Sequence, residues 1–100
     1  MWITNLINDS KNTYNTYNDA LQQTINIIAA WAHNNNMDAC LYTGVIGNKR
    51  KTCNRVLSIK TQTNRGYDYK LTIHHVSDGY QASLIRLNNT GFSFSTEQVL

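Results

Sequence analysis

Three adjacent cations, Lys49, Arg50 and Lys51, form the cluster in this sequence whose residue types most clearly indicate binding chemistry. They follow Gly47 and Asn48, a pair typical of hairpin turns, so we predict them at an exposed loop tip. Cations at such a tip can bind phosphates or the carboxylates of a partner protein. A loop kept polar for solubility has the same composition, so the run alone does not decide between the two.

Three more basic residues follow the loop, and we predict that they extend the same partner-binding surface: Arg55, Lys60 and Lys70. Lys60 and Lys70 fall on outward strand positions and would place a positive strip on the open face of a sheet. Proteins that bind single-stranded nucleic acid add exposed aromatic side chains to such a strip. The strand residues Tyr67 and Tyr69 are predicted on the opposite face, which argues against a platform for stacked bases.

Cys40 and Cys53 are the two cysteines of the chain. If residues 47–52 are a hairpin loop, Ile46 pairs with Cys53, and Cys40 lies about 20 Å farther along the strands. A disulfide needs the two Cα atoms within about 7 Å of each other. We therefore predict two free thiols that pack as small apolar residues.

The histidines form no catalytic or metal-binding pattern. His74 and His75 are neighbours in a predicted strand, so their side chains point to opposite faces, with His75 expected at the edge of the core and His74 on the surface. His33 falls in the last turn of a predicted helix, where an imidazolium favours the helix dipole. The sequence also lacks a nucleophile elbow, a glycine-rich phosphate loop and paired carboxylates. We predict no enzyme activity, no cofactor and no metal.

The first third of the chain has apolar residues at every third or fourth position, which predicts helices with one buried stripe. Residues 8–12 are poor helix formers and good N-caps, so a short helix before them and a long one after them are expected. The apolar phase continues across 8–12, so a single kinked helix is the alternative. The asparagines at 34–36 should end the long helix, because asparagine tolerates the left-handed conformation. The stripe comprises Ile3, Ile7, Tyr14, Tyr17, Leu21, Ile25, Ile28, Trp31 and Ala32.

From Asp38 onward the apolar period changes to two, and turn signals separate four or five strands. A two-residue turn at Asp78 and Gly79 would pair Ile73 with Leu84. The predicted inner face contains Leu57, Ile59, Tyr69, Leu71, Ile73, Ala82 and Leu84. From the first strand it takes either Cys40, Tyr42 and Ile46 or Leu41 and Val45. Residues 95–98 either begin a final helical turn or continue a last strand.

These elements predict one α+β domain spanning residues 1–100, with a short and a long N-terminal helix packed on one face of a four- to five-stranded antiparallel meander sheet. The net charge of +3 is a mild excess that many proteins without a polyanionic partner share. No apolar run approaches the roughly 18 residues of a membrane span, and residues 1–5 lack the basic start of a signal peptide. We therefore predict a cytoplasmic protein with no membrane partner.

The composition also hints at an origin. Fourteen Asn, eleven Thr and no Pro follow AT-rich coding, which favours a phage or another mobile element. We predict a small non-catalytic protein-binding module, an accessory or inhibitor protein that covers a functional surface of a larger host protein or complex in the host cytoplasm. The alternative is a nucleic-acid-binding protein that uses the basic loop. A homodimer is left open.

Both thiols should be free in the folded protein. Alkylation of the unfolded, non-reduced chain should modify Cys40 and Cys53 and add two labels to the intact mass. A mass two hydrogens short, with no label, would reveal a disulfide and contradict both the predicted register and the cytoplasmic assignment.

Overall fold

The computed structural model describes residues 1–46, 52–88 and 92–100, with the backbone alone described at 45–46 and 52–54. The predicted loop cations Lys49, Arg50 and Lys51 lie outside the described residues.

Two helices precede the sheet, α1 (Ile3–Asn8) and α2 (Tyr17–Asn34), as the sequence predicts. The break between them is longer than expected, because α2 begins after Thr16 and not after residue 12. The Thr16 hydroxyl accepts a hydrogen bond from the Asp19 backbone N–H at 3.0 Å, a standard N-cap. At the other end of α2, Asn36 takes a left-handed φ of 54°, as the asparagine triplet predicts.

Five antiparallel strands form one sheet in the order β4-β3-β2-β1-β5. β1 to β4 are consecutive neighbours, as in the predicted meander. β5 returns to the far edge beside β1, so the last segment of the chain is a strand and not a helical turn. The α+β prediction is confirmed. The strands are β1 (Asp38–Ile46), β2 (Thr52–Lys60), β3 (Gly66–Val76), β4 (Gly79–Leu87) and β5 (Thr96–Val99).

The register of the β3–β4 hairpin differs by two residues from the predicted one. Val76 pairs with Gly79 and Ile73 with Ala82, so the loop consists of residues 77–78. A shift of two residues keeps each side chain on its predicted face, because strand side chains alternate with a period of two.

The β1–β2 register separates the two cysteines. Cys53 pairs with Val45 and not with the predicted Ile46, and Cys40 lies five residues farther along β1. At about 3.3 Å per residue, about 17 Å of strand lies between the two positions. Cys40 is a free thiol.

The helices cover one face of the sheet, and the core lies between the two layers. Leu41 pairs with Leu57 on this inner face, which settles the register of β1 that the sequence left open. Most residues predicted on the inner face of the sheet are buried. Ile73 of β3 and Leu21 of α2 are partly buried and pack against the margin of the core. The core cluster comprises Ile3, Ile7, Ile25, Ile28, Ala32, Ala39, Leu41, Leu57, Ile59, Tyr69, Leu71, Ala82 and Leu84.

Polar groups of the N-terminal segment occupy the outer edge of β4. The Asn8 side-chain amide donates to the Leu84 carbonyl at 2.9 Å, and its Oδ1 accepts from the Leu84 N–H at 2.8 Å. The backbones of Tyr14 and Tyr80 exchange two hydrogen bonds of 2.8 Å. A Cβ on Gly79 would lie 2.3 Å from the Tyr14 carbonyl oxygen, so only glycine permits this approach. Because unpaired strand edges template association, these contacts protect β4.

Ile28→Ala should lower the free energy of unfolding by about 2 to 5 kcal/mol, because it leaves a cavity between the layers. Ile28 is 0% exposed, whereas Ile85, on the opposite face, is 58% exposed and provides the control. Ile85→Ala should change stability by less than about 0.5 kcal/mol. Urea melts of the two variants measure the difference, and equally small effects would mean that α2 does not pack on this face.

Candidate functional site

The basic residues predicted to form one surface lie on two faces of the sheet. Lys60 and Lys70 are on the outer face, which the helices leave open, as predicted. Arg55 is on the inner face, where its guanidinium donates to the Tyr17 hydroxyl of α2 at 2.5 Å. Alternation along β2 causes the separation, because Arg55 and Lys60 are an odd number of residues apart. Arg55 therefore does not continue the surface that carries the two lysines.

The outer face carries carboxylates among its lysines. Asp38 pairs with Lys60 across β1 and β2. Asp68 lies two residues before Lys70 on the same face of β3, and Glu97 lies on that face of β5. The described part of this face thus has mixed charge and is not the positive strip that the sequence analysis predicts.

The histidines differ in part from the prediction. His75 faces inward but is exposed, with its ring 4.9 Å from the Tyr80 ring, because this end of β3 extends past the covered core. His74 is partly buried, and His33 lies in the last turn of α2 as predicted. Among the described residues, no group of three or more His, Cys, Asp or Glu is placed to hold a metal ion.

A groove lies where the start of α1 meets the β2–β3 turn. It consists of two depressions, of about 330 and 540 Å³, that share Trp2 and Tyr67 as lining residues. We call it the Tyr67 groove, because Tyr67 belongs to both depressions. The first is completed by Thr4, Tyr69 and Arg86, and the second by Met37, Thr61, Asn64, Arg65 and Gly66.

Contacts between distant parts of the chain position the aromatic residues of the groove. Trp2 is the N-cap of α1, and its indole N–H donates to the Tyr69 hydroxyl at 2.6 Å. Trp31 of α2 packs edge-on against Trp2, with ring centroids 4.9 Å apart, and donates to the Met1 carbonyl at 3.0 Å. The two tryptophans therefore fix the start of α1 between α2 and β3.

Arg86 and Arg65 supply the charge of the groove. Arg86 pairs with Tyr69 across β3 and β4, and its guanidinium carbon lies 3.7 Å from the centroid of the Tyr67 ring. Such a cation–π contact contributes about 0.5 to 1 kcal/mol at an exposed site. Tyr67 is nevertheless 45% exposed. Among the described residues, no Asp, Glu, His or Cys lines either depression, so the described lining is positively charged and partly aromatic.

The Tyr69 hydroxyl is a protonated donor beside Arg86. Burial raises the pKa of Tyr69, while the hydrogen bond from Trp2 and the charge of Arg86 lower it by less. The hydroxyl accepts the Trp2 N–H, and no described atom accepts the hydroxyl's own proton. A ligand oxygen could accept that proton.

The outer face has a polar depression of about 260 Å³ whose lining includes Cys40, Tyr42 and Lys60. Burial raises the pKa of the Cys40 thiol, and the neighbouring carboxylates of Glu97 and Asp38 raise it further. A thiol with a raised pKa is a poor nucleophile at neutral pH. The raised pKa therefore gives no support to thiol chemistry in this depression.

The chain matches no protein-family model, and comparison with the curated proteins and with the solved structures gives no match either. No helix among the described residues has the length and apolar composition needed to cross a membrane.

Tyr69→Phe should reduce the loss of stability at alkaline pH. The pKa of Tyr69 is raised in the folded protein, so the unfolded chain releases the phenol proton first. Stability is therefore lost as the pH rises past the unfolded pKa of about 10, and a chain without this phenol loses less. Urea melts near neutral pH and above about pH 10 measure the two losses. Equal losses of stability in the wild type and the variant would contradict the raised pKa of Tyr69.

Proposed function

We propose that this protein is a non-catalytic protein-binding module and that the Tyr67 groove binds an acidic segment of its partner. One observation carries the proposal: Arg86 stacks on the half-exposed Tyr67 in a groove whose described lining residues include no acidic one. Tyr, Trp and Arg are the residue types enriched at the energetic centres of protein interfaces.

Charge complementarity supports an acidic partner segment. Arg86 lines the first depression and Arg65 the second, and both side chains are exposed. An arginine guanidinium binds a carboxylate through two parallel hydrogen bonds, which give both attraction and orientation. Aspartate and glutamate side chains of a partner would meet both charges.

We also propose an origin, a role and a location for the protein. The AT-rich composition supports an origin in a phage or other mobile element, and the small size suits a protein that covers a functional surface of a larger host protein or complex. The host cytoplasm is the proposed location. Among the described residues, no carboxylate, imidazole, thiol or lysine amine lines the groove, which supports binding over catalysis by such groups at this site.

Nucleic-acid binding through the basic loop is the second candidate. The run Lys49, Arg50 and Lys51 favours it, since three adjacent cations can contact successive phosphates. The mixed charge of the outer face gives it less support, because Asp38 and Asp68 lie beside the lysines that would extend the loop's surface.

Selection from a displayed library of random peptides tests the first candidate. The wild type should enrich peptides rich in aspartate and glutamate. The double reversal Arg65→Glu/Arg86→Glu should weaken their binding by more than about tenfold, because it replaces attraction by repulsion. The matched control, Lys60→Glu/Lys70→Glu, makes the same charge change on the outer face and should bind as the wild type does.

Three outcomes would contradict the groove as the docking site: no enrichment of acidic peptides, equal binding by the Arg65→Glu/Arg86→Glu variant, or loss of binding in the lysine control alone. The last outcome would move the site to the outer face. A salt titration with single- and double-stranded oligonucleotides tests the second candidate. Tight binding by the wild type, with a salt dependence that Lys49→Glu/Arg50→Glu/Lys51→Glu reduces, would replace the protein partner by nucleic acid.

A further inference from the structure

We infer that the first depression of the Tyr67 groove is a carboxylate subsite, in which Arg86 and the Tyr69 hydroxyl hold an aspartate or glutamate side chain next to an apolar residue of the partner. The inference rests on the proposed function and names the chemistry that the groove would recognise. Trp2, Thr4, Tyr67, Tyr69 and Arg86 line this depression.

The polar end of the subsite has hydrogen-bond donors, and its described lining residues include no acidic group. Arg86 offers the planar set of N–H donors that matches the two oxygens of a carboxylate. Tyr69 is only 2% exposed, and its hydroxyl has a proton that no described atom accepts. Either a carboxylate or an Asn or Gln amide oxygen can accept that proton, but only the carboxylate has a negative charge and a second acceptor oxygen for Arg86.

Arg86 is partly preorganised for this contact. Its guanidinium already lies over the Tyr67 ring, and Tyr69 is its direct cross-strand neighbour. A side chain that is held in place before binding loses less conformational entropy when the ligand arrives. Lysine at this position would keep the charge but would lose both the stacking and the planar donor set.

The aromatic wall of the subsite selects the residue beside the carboxylate. Trp2 is fixed by its hydrogen bond to Tyr69 and by its edge-on packing against Trp31, so its ring offers a rigid apolar surface close to the charge. A leucine or aromatic residue next to the acid would bury apolar area there at about 25 cal/mol per Å².

The course of the groove favours a side-chain carboxylate over a chain terminus. Tyr67 borders both depressions, so a bound segment can continue past it toward Arg65. A site for a C-terminal carboxylate has to end the ligand chain at the charge, and this groove extends beyond it. The acid therefore belongs to an internal residue of the partner segment.

Titration with defined peptides tests the subsite. The probe is an acetylated, amide-capped peptide with the central sequence Leu-Asp-Leu. Its Asn counterpart keeps the size and shape of the side chain but removes the charge and replaces one acceptor oxygen by an NH2 donor. The indole N–H resonance of Trp2 reports binding by NMR. The Asp peptide should bind at least about tenfold more tightly than the Asn peptide, as expected for a charge-assisted hydrogen bond. A peptide with a free C-terminal carboxylate and no Asp should bind no better than the Asn peptide.

Variants assign the contacts within the subsite. Arg86→Lys should weaken binding of the Asp peptide by about tenfold. Arg55→Lys is the matched control, since Arg55 also contacts a tyrosine, Tyr17, outside the groove. Tyr69→Phe should weaken binding of the Asp peptide more than binding of the Asn peptide, because a hydrogen bond to a charged oxygen is stronger than one to a neutral oxygen. If Tyr69→Phe does not fold, the binding of the Asp peptide by Arg86→Lys still tests the carboxylate subsite.

Equal binding of the Asp and Asn peptides would overturn the carboxylate subsite, and so would full binding by Arg86→Lys or no binding of the Asp peptide. A preference for the free C-terminus would overturn the choice of a side-chain acid. These failures are distinct from failure of the proposed function, which the library selection decides, because a groove that enriches acidic peptides through Arg65 would remain a docking site.

Discussion

The hydrogen bond from Trp2 to the buried Tyr69 hydroxyl is the contact on which the candidate site depends. α1 has only six residues, and so short a helix is unstable in water without tertiary contacts. Ile3 and Ile7 bury one side of it, while the indole of Trp2 ties its start to β3. Because Trp2 is a wall of both depressions, the groove exists only when α1 is docked.

The N-terminal segment also determines how the sheet ends. The side-chain amide of Asn8 makes two hydrogen bonds to the Leu84 backbone, as a neighbouring strand would. Farther along β4, the backbone of Tyr14 forms a β-bridge with Tyr80. These contacts give β4 partners on its outer side. The opposite edge is β5, which has only four residues, and a short edge strand offers little template for association. The segment thus both protects an edge and forms one wall of the Tyr67 groove.

Two arginine–tyrosine pairs lie on the helix side of the sheet, and their surroundings give them different roles. Arg55 donates to the hydroxyl of Tyr17, so it ties the first turn of α2 to β2. Arg86 lies over the ring of Tyr67, with both residues on the sheet, and remains exposed beside a depression. The first pair joins two layers, whereas the second leaves its guanidinium N–H groups available to a ligand.

The sequence by itself determined the elements and their faces. Periodicity located both helices and the strands, and it placed Tyr69 inside and Lys70 outside, because side-chain direction follows from a local period of 3.6 or 2. The predicted β3–β4 register was wrong by two residues, but each side chain was still assigned to the correct face, because strand side chains alternate with a period of two. The sequence did not decide whether Leu41 or Tyr42 faces the helices, since both are apolar and alternate.

Only the tertiary structure decided which residues form the groove. Trp2 and Tyr69 are 67 positions apart, and no local pattern records their hydrogen bond. Tyr67 was placed correctly on the inner face, yet its exposure depends on where the helix layer ends, which pairing and packing determine together. Arg55 was predicted on one surface with the basic loop, Lys60 and Lys70, but alternation along β2 and the hydrogen bond to Tyr17 place it on the helix side. A site formed by the ends of distant elements follows from packing, and packing is a property of the whole chain.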